Sequence, residues 1–192
     1  MDWMKQLDGI LDQYGTANPS RPPATVDQDY DRAVQAAPPA ALSDGLAAAF
    51  RSDQTPEFPQ MASQMFGRAP ASQRAGILNA LLATVGPLVL QQILARRQQS
   101  GGRPGGQGGG LGGMLDGLIR GGGGNAQVSP EVAQQVPAEV VEEVAREAEK
   151  KDPSIVDRIS EVYAKQPELL KVLGGAALAI ALGRMAQRKG TL

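Results

Sequence analysis

Cysteine and histidine are both absent from these 192 residues, and the two gaps remove whole classes of chemistry. Without cysteine there is no disulfide, no thiolate metal site and no thiol nucleophile, a composition compatible with a reducing compartment. Without histidine the chain lacks the commonest transition-metal ligand and the usual general base near neutral pH, which excludes a Ser-His-Asp site and a zinc hydrolase. Aromatics are scarce at 4%, so the stacking platforms of single-strand nucleic-acid binders are missing and a core falls to Leu, Val, Ile and Ala. An excess of either charge is missing too. The 19 Lys and Arg stand against 20 Asp and Glu, a net charge of -1, which gives no field to gather a polyanion, and no nucleic-acid partner is inferred. Met1 to Asp8 lack a basic region followed by an apolar one, so they do not read as a secretory signal; the expectation is a retained N-terminus and a cytoplasmic protein.

What is present is 42% hydrophobic residues, enough for a core. The 24 glycines fall mostly in 101–124, so the compact part is shorter than the chain. Apolar spacing near 3.6 residues recurs outside that stretch, and the expected fold is all-α: a short-helix bundle and a C-terminal helical hairpin, joined by a disordered Gly-rich linker. Five segments follow along the chain: an amphipathic helix at 1–15, a Pro-rich spacer at 16–24, a helical region at 25–99, a flexible linker at 100–127 and a C-terminal helical region at 128–192.

Trp3, Leu7, Ile10, Leu11 and Tyr14 share one face of the first helix, which Gly15 can end. The spacer Ala17 to Pro23 cannot continue it, so this helix is expected to be tethered rather than integral. Tyr30, Val34 and Ala37 mark a second helix that Pro38-Pro39 breaks. Leu42, Leu46, Ala49 and Phe50 mark a third, and Phe58, Met61, Met65 and Phe66 a fourth; the expectation is antiparallel packing through Phe50, Phe58 and Phe66.

The stretch 75–95 is uncharged and, at about 20 residues, long enough to cross a bilayer. Asn79, Thr84, Gln91 and Gln92 interrupt it with polarity and Gly86-Pro87 with a break, so two buried helices meeting at Gly86-Pro87 are preferred. Further on, Ser129 can cap a helix with Pro130 at its first position and Glu131 in its first turn. Val140, Val141, Val144, Ala145 and Ala148 form the inward face of the next helix, with Glu142, Glu143, Arg146 and Glu147 outward. Ile155, Ile159, Val162 and Tyr163 continue the pattern, and Pro167 opens the last helix. The uncharged run 172–182 covers only about 18 Å at 1.5 Å per residue, short of a hydrocarbon core near 30 Å.

The most suggestive constellation is Gly175, Ala179 and Gly183, small residues at four-residue spacing that let a second helix approach closely. Read functionally, they are helix-packing or association positions, in a homo-oligomer or a membrane; the other reading is close packing within one helical hairpin. Lys171, Arg184, Arg188 and Lys189 flank the run and could reach lipid headgroups, so membrane contact stays open. The abundant glycines make no phosphate loop, since no Gly-x-x-x-x-Gly-Lys-[Ser/Thr] occurs. Glu139, Glu142, Glu143 and Glu147 read as a solvated face rather than a carboxylate or metal site. The island Leu111 to Arg120 holds Leu115-Asp116-Gly117-Leu118-Ile119, an echo of Leu7-Asp8-Gly9-Ile10-Leu11.

The blocks Asp152-Pro153-Ser154-Ile155-Val156-Asp157, Tyr163-Ala164-Lys165-Gln166-Pro167 and Leu173-Gly174-Gly175-Ala176-Ala177-Leu178 resemble a group of uncharacterised proteins of Gram-negative bacteria. So do Ala41-Leu42-Ser43-Asp44-Gly45-Leu46, Phe50-Arg51-Ser52-Asp53 and Arg74-Ala75-Gly76-Ile77-Leu78-Asn79, and together the blocks span roughly half of the chain. The Leu-Asp-Gly pieces and the glycine-rich centre are similar to the YidB-like family of small bacterial proteins. Neither resemblance carries catalytic residues across, and neither supplies a mechanism.

These readings converge on a non-enzymatic helical scaffold or adaptor that works through protein partners or self-association, with no catalytic residue, metal, cofactor or small-molecule substrate inferred. The alternative is a membrane-associated protein, at the inner membrane, using 75–95 and 169–186 as hydrophobic elements.

Overall fold

A computed structural model describes residues 2–99, 127–165 and 167–189. Among the described residues the chain is all-α, with eleven α-helices, one 3-10 helix and no strand. The glycine-rich stretch, with its Leu111 to Arg120 island, lies outside the described residues except at Gln127. Close contacts divide the chain into two compact units that interleave along it: unit 1 comprises Met1–Met61 and Val156–Leu192, and unit 2 comprises Ala62–Ile155. The regions 25–99 and 128–192 therefore each contribute to both units, a composition that differs from a division along the chain. Local periodicity marks which face of a helix is buried but not which helix covers it.

Unit 1 is built around its last helix. The N-terminal segment forms α1 (Asp2–Gln6) and α2 (Asp8–Thr16), broken at Leu7, whose side chain is buried. Helix α2 runs through Gly15 instead of ending there. Then come α3 (Val26–Ala36), α4 (Pro39–Phe50) and the start of α5 (Phe58–Arg68). From the C-terminal side come all but the first residue of α10 (Ile155–Ala164), a 3-10 helix (Pro167–Leu173) and α11 (Gly175–Lys189). Pro167 thus opens a 3-10 helix, because Gly174 takes a left-handed φ of 83° and separates it from α11. Helix α11 packs most extensively on α4, then on α2 and α3.

This packing corrects the expectation that the first helix is only tethered. Leu7, Leu11 and Tyr14 are all buried, and each such side chain contributes about 1.5–3 kcal/mol on removal from water. A nine-residue helix has no stability of its own in water; the surface of α11 supplies it. In α3 the buried face is Val26, Asp29, Tyr30 and Ala33, with Val34 only half-buried. Phe50 and Phe58 meet edge to face, ring centroids 5.3 Å apart.

Unit 2 contains the rest of α5, α6 (Ala71–Val85), α7 (Pro87–Gln99), α8 (Pro130–Gln135) and α9 (Ala138–Lys151). The stretch 75–95 is two helices meeting at Gly86, whose φ of 87° favours glycine and whose N–H bonds the Leu82 carbonyl at 2.7 Å. Ile77, Leu78, Leu81, Leu82 and Val85 are buried, with α6 packed on α8 and α9 and α7 packed on α9. Among the described residues no helix is long and apolar enough to cross a membrane. Ser129 caps α8, its Oγ accepting from the Val132 N–H, with Pro130 at the first position. In α9 the buried residues are Val140, Val141, Val144, Ala145 and Ala148, the face that periodicity marks. Phe66 belongs to unit 2, where Arg74 lies over its ring at 5.3 Å.

Candidate functional site

Helix α11 carries the small-residue stripe, and all three of its members face unit 1 itself. A Cβ added at Gly175 would come within 2.9 Å of Pro22 Cγ and 3.3 Å of Val26 Cγ1, and one at Gly183 within 3.1 Å of the Tyr14 carbonyl oxygen. Ala179, between them, is buried. The stripe thus seats α2 and the segment leading into α3.

The tightest approach lies two residues out of that register, at Ala181. A Cβ at Gly45 would stand 2.8 Å from the Ala181 carbonyl oxygen and 3.2 Å from Ala181 Cα, so α4 and α11 cross nearly backbone to backbone. Ala41, Gly45 and Ala49 repeat the four-residue spacing on α4, and all three are buried. That spacing was available in the sequence as a signal for this crossing, and the reading of Leu42, Leu46, Ala49 and Phe50 as the apolar stripe passed over it.

Beside the crossing lies a groove of about 650 Å³ between α2, α4 and α11. Small residues, Gly15, Ala17, Ala47, Ala48, Ala179 and Gly183, line it together with Tyr14, Pro19 and Ile180. The rest of its lining is polar. Arg51, at the C-terminal end of α4, donates two hydrogen bonds to Asp157 in the first turn of α10, Nη1 to Oδ1 and Nη2 to Oδ2, both at 2.7 Å. Chiefly through that hydrogen bonding, Arg51 holds the Asp157 carboxyl below the ordinary carboxylate range. Asp44 pairs with Arg188. Arg184 donates to Gln187 Oε1 at 3.1 Å. On the far side Ser20 Oγ donates to Gln54 Oε1 at 3.1 Å, which draws the spacer onto the turn after α4.

Beneath the groove Tyr14 Oη donates to Asp29 Oδ2 at 2.9 Å, and Thr25 Oγ1 donates to the same oxygen at 2.8 Å. Burial, and then the bond to Asp29, pushes the Tyr14 hydroxyl up to about 12, so it stays protonated at neutral pH and fixes α2 to α3. Tyr163 is raised as well, by burial alone. Neither phenol can act as a base near pH 7. Among the described residues no group of three acidic side chains is placed to hold a metal ion. Glu139, Glu142, Glu143 and Glu147 lie along α9 in unit 2, where Arg146 pairs with Glu142 and Lys150 with Glu147 at helical spacing.

Small lining residues leave room for close approach of a backbone, and the ion pairs and amides beside them offer hydrogen bonds. Comparison with protein-family models, with curated proteins and with solved structures gave no match.

Proposed function

We propose that this chain is a non-enzymatic helical scaffold or adaptor that works by protein–protein contact, with the groove between α4 and α11 as the seat of a partner segment. The observation that carries this reading is the pairing of small lining residues, Gly15, Ala47, Ala48, Ala179 and Gly183, with the ion-paired Arg51, Asp157 and Asp44 and the amide-bonded Arg184. Small side chains leave room for a second backbone, as at the Gly45–Ala181 crossing next to it. Paired side chains of this kind orient and select a partner more than they add affinity. The same proposal places the protein in the cytoplasm rather than at the inner membrane, which cell fractionation with a carbonate wash checks.

A photo-crosslinking amino acid at position 48, in the groove lining, tests the reading in cells, with position 147 on α9 as control. The expected result is a discrete polypeptide adduct at 48 that is missing at 147 and is lost when Arg184→Glu is added. No adduct at 48, or equal adducts at both positions, would overturn it.

A further inference from the structure

Apart from Tyr14–Asp29 and Ser20–Gln54, the side-chain pairs that join distant parts of the described residues cross the glycine-rich stretch. Call residues 2–99 the N-half and 127–189 the C-half. In unit 1 the N-half gives Asp31, Asp44 and Arg51, and the C-half answers with Lys171, Arg188 and Asp157. In unit 2 Asn79 of the N-half clamps Val128 of the C-half from both sides, its Oδ1 accepting from the Val128 N–H at 2.7 Å and its Nδ2 donating to the Val128 carbonyl at 3.2 Å. The close glycine approaches at 45, 175 and 183 all cross the same stretch. So do the extensive packings of α11 on α4, α2 and α3, of α6 on α8, and of α9 on α6 and α7.

Each half therefore presents faces that pack chiefly on the other half. In the N-half Leu11, Leu46, Ile77 and Leu81 are fully buried, and in the C-half Val141, Val144, Leu178 and Leu182. Two such halves are each other's binding partners, and their joining through the 27 residues numbered 100–126 makes the encounter intramolecular. We infer that a second copy of this chain is a partner by reciprocal exchange, the N-half of one molecule closing on the C-half of the other with the contacts that close a single chain.

Exchange creates no new surface and loses none, so concentration sets the balance. Joining the two halves in one chain gives an effective concentration on the order of millimolar, and a single chain closes on itself in dilute solution. Crowding two copies together, or shortening the connection between the halves, moves the balance to the exchanged pair. The inference stands on the cross-stretch contacts and is independent of what the groove of unit 1 binds.

Two full-length charge-reversed copies test it. The first carries Asp31→Lys, Asp44→Arg and Arg51→Asp, all in the N-half; the second carries Asp157→Arg, Lys171→Asp and Arg188→Asp, all in the C-half. Alone, each faces three like-charge contacts. After joint unfolding and refolding at 1:1, exchange makes every contact attractive again. The expected result is a species of twice the chain mass that melts above either copy alone. A mixture that behaves as the sum of its separate components overturns the inference, provided that one chain carrying all six changes folds as the unaltered protein does. Should that control fail to fold, deleting 100–126 so that Gln99 joins Gln127 decides: a doubled mass supports the exchange, and a folded particle of single mass overturns it.

Discussion

Gly45→Ala adds one methyl group at the narrowest point of unit 1, and the cost follows from what that methyl meets. The new Cβ would stand 2.8 Å from the Ala181 carbonyl oxygen, with Ala181 Cα at 3.2 Å and its carbonyl carbon at 3.3 Å. These are backbone atoms of α11, which cannot rotate away as a flexible side chain would, so the two helices must separate. Overpacking of this kind costs about 1–3 kcal/mol. Alanine in mid-helix returns about 0.5–1 kcal/mol of propensity. The net expectation is a loss of about 1–2 kcal/mol, which for a unit of about 100 residues lowers the melting midpoint by roughly 5–10 °C. Two companions calibrate it. Gly9→Ala in α2 meets nothing within 4 Å and should stabilise by up to about 0.5 kcal/mol. Gly183→Ala approaches the Tyr14 carbonyl oxygen at 3.1 Å and should fall between the two. Thermal unfolding followed by circular dichroism at 222 nm reads the order directly. If Gly45→Ala melts at or above the unaltered protein, α4 and α11 do not cross where described and the argument fails.

Asn79→Ala strips both partners from the Val128 backbone in a part-buried site and should cost about 1–3 kcal/mol, seen as faster amide exchange at Val128 and α8 while α2 and α11 keep their protection. For Asp157 the folded carboxyl titrates below its unfolded value near 3.9, so its pairing with Arg51 stabilises above about pH 4 and is lost as the pH falls further. Asp157→Asn should therefore flatten the acid limb of the stability curve. Both side chains are about half-exposed, so the effect stays under about 1 kcal/mol and fades in 1 M salt; an unchanged acid limb would contradict it. Tyr14 has the opposite sign. With its hydroxyl raised to about 12, the stabilisation is complete below pH 10 and disappears as the pH rises through 12. Tyr14→Phe should lose about 1 kcal/mol at pH 7 and show a shallower fall than the unaltered protein between pH 10 and 12.

The sequence was most informative where one helix decides its own structure. Periodicity alone marks the buried face of α9, from Val140 to Ala148, and the Ser129-Pro130-Glu131 start of α8 follows from the chemistry of orphan amides at a helix N-terminus. Gly86-Pro87 divides α6 from α7 because only glycine readily takes the positive φ there. Less was legible wherever two distant segments meet. Nothing local says that α2 rests on α11, that Asn79 holds Val128, or that Arg51 finds Asp157 more than a hundred residues away. The candidate stripe shows both sides of this. Gly175, Ala179 and Gly183 were visible as close-approach positions, but their partners, Pro22, Val26 and Tyr14, come from a part of the chain that shares no pattern with them. Gly45 lies in a four-residue spacing with Ala41 and Ala49 that marks close approach, but that spacing does not say that the facing backbone is Ala181.

The two halves of the chain, on either side of 100–126, build both units together. A protease site placed within 104–110 of the full-length protein and cut under native conditions puts this to the test. The two fragments should stay together at the mass of the intact chain with helical signal unchanged, and separate only on unfolding. Fragments that elute apart while each keeps its helices would mean that each half folds on its own, and would contradict it.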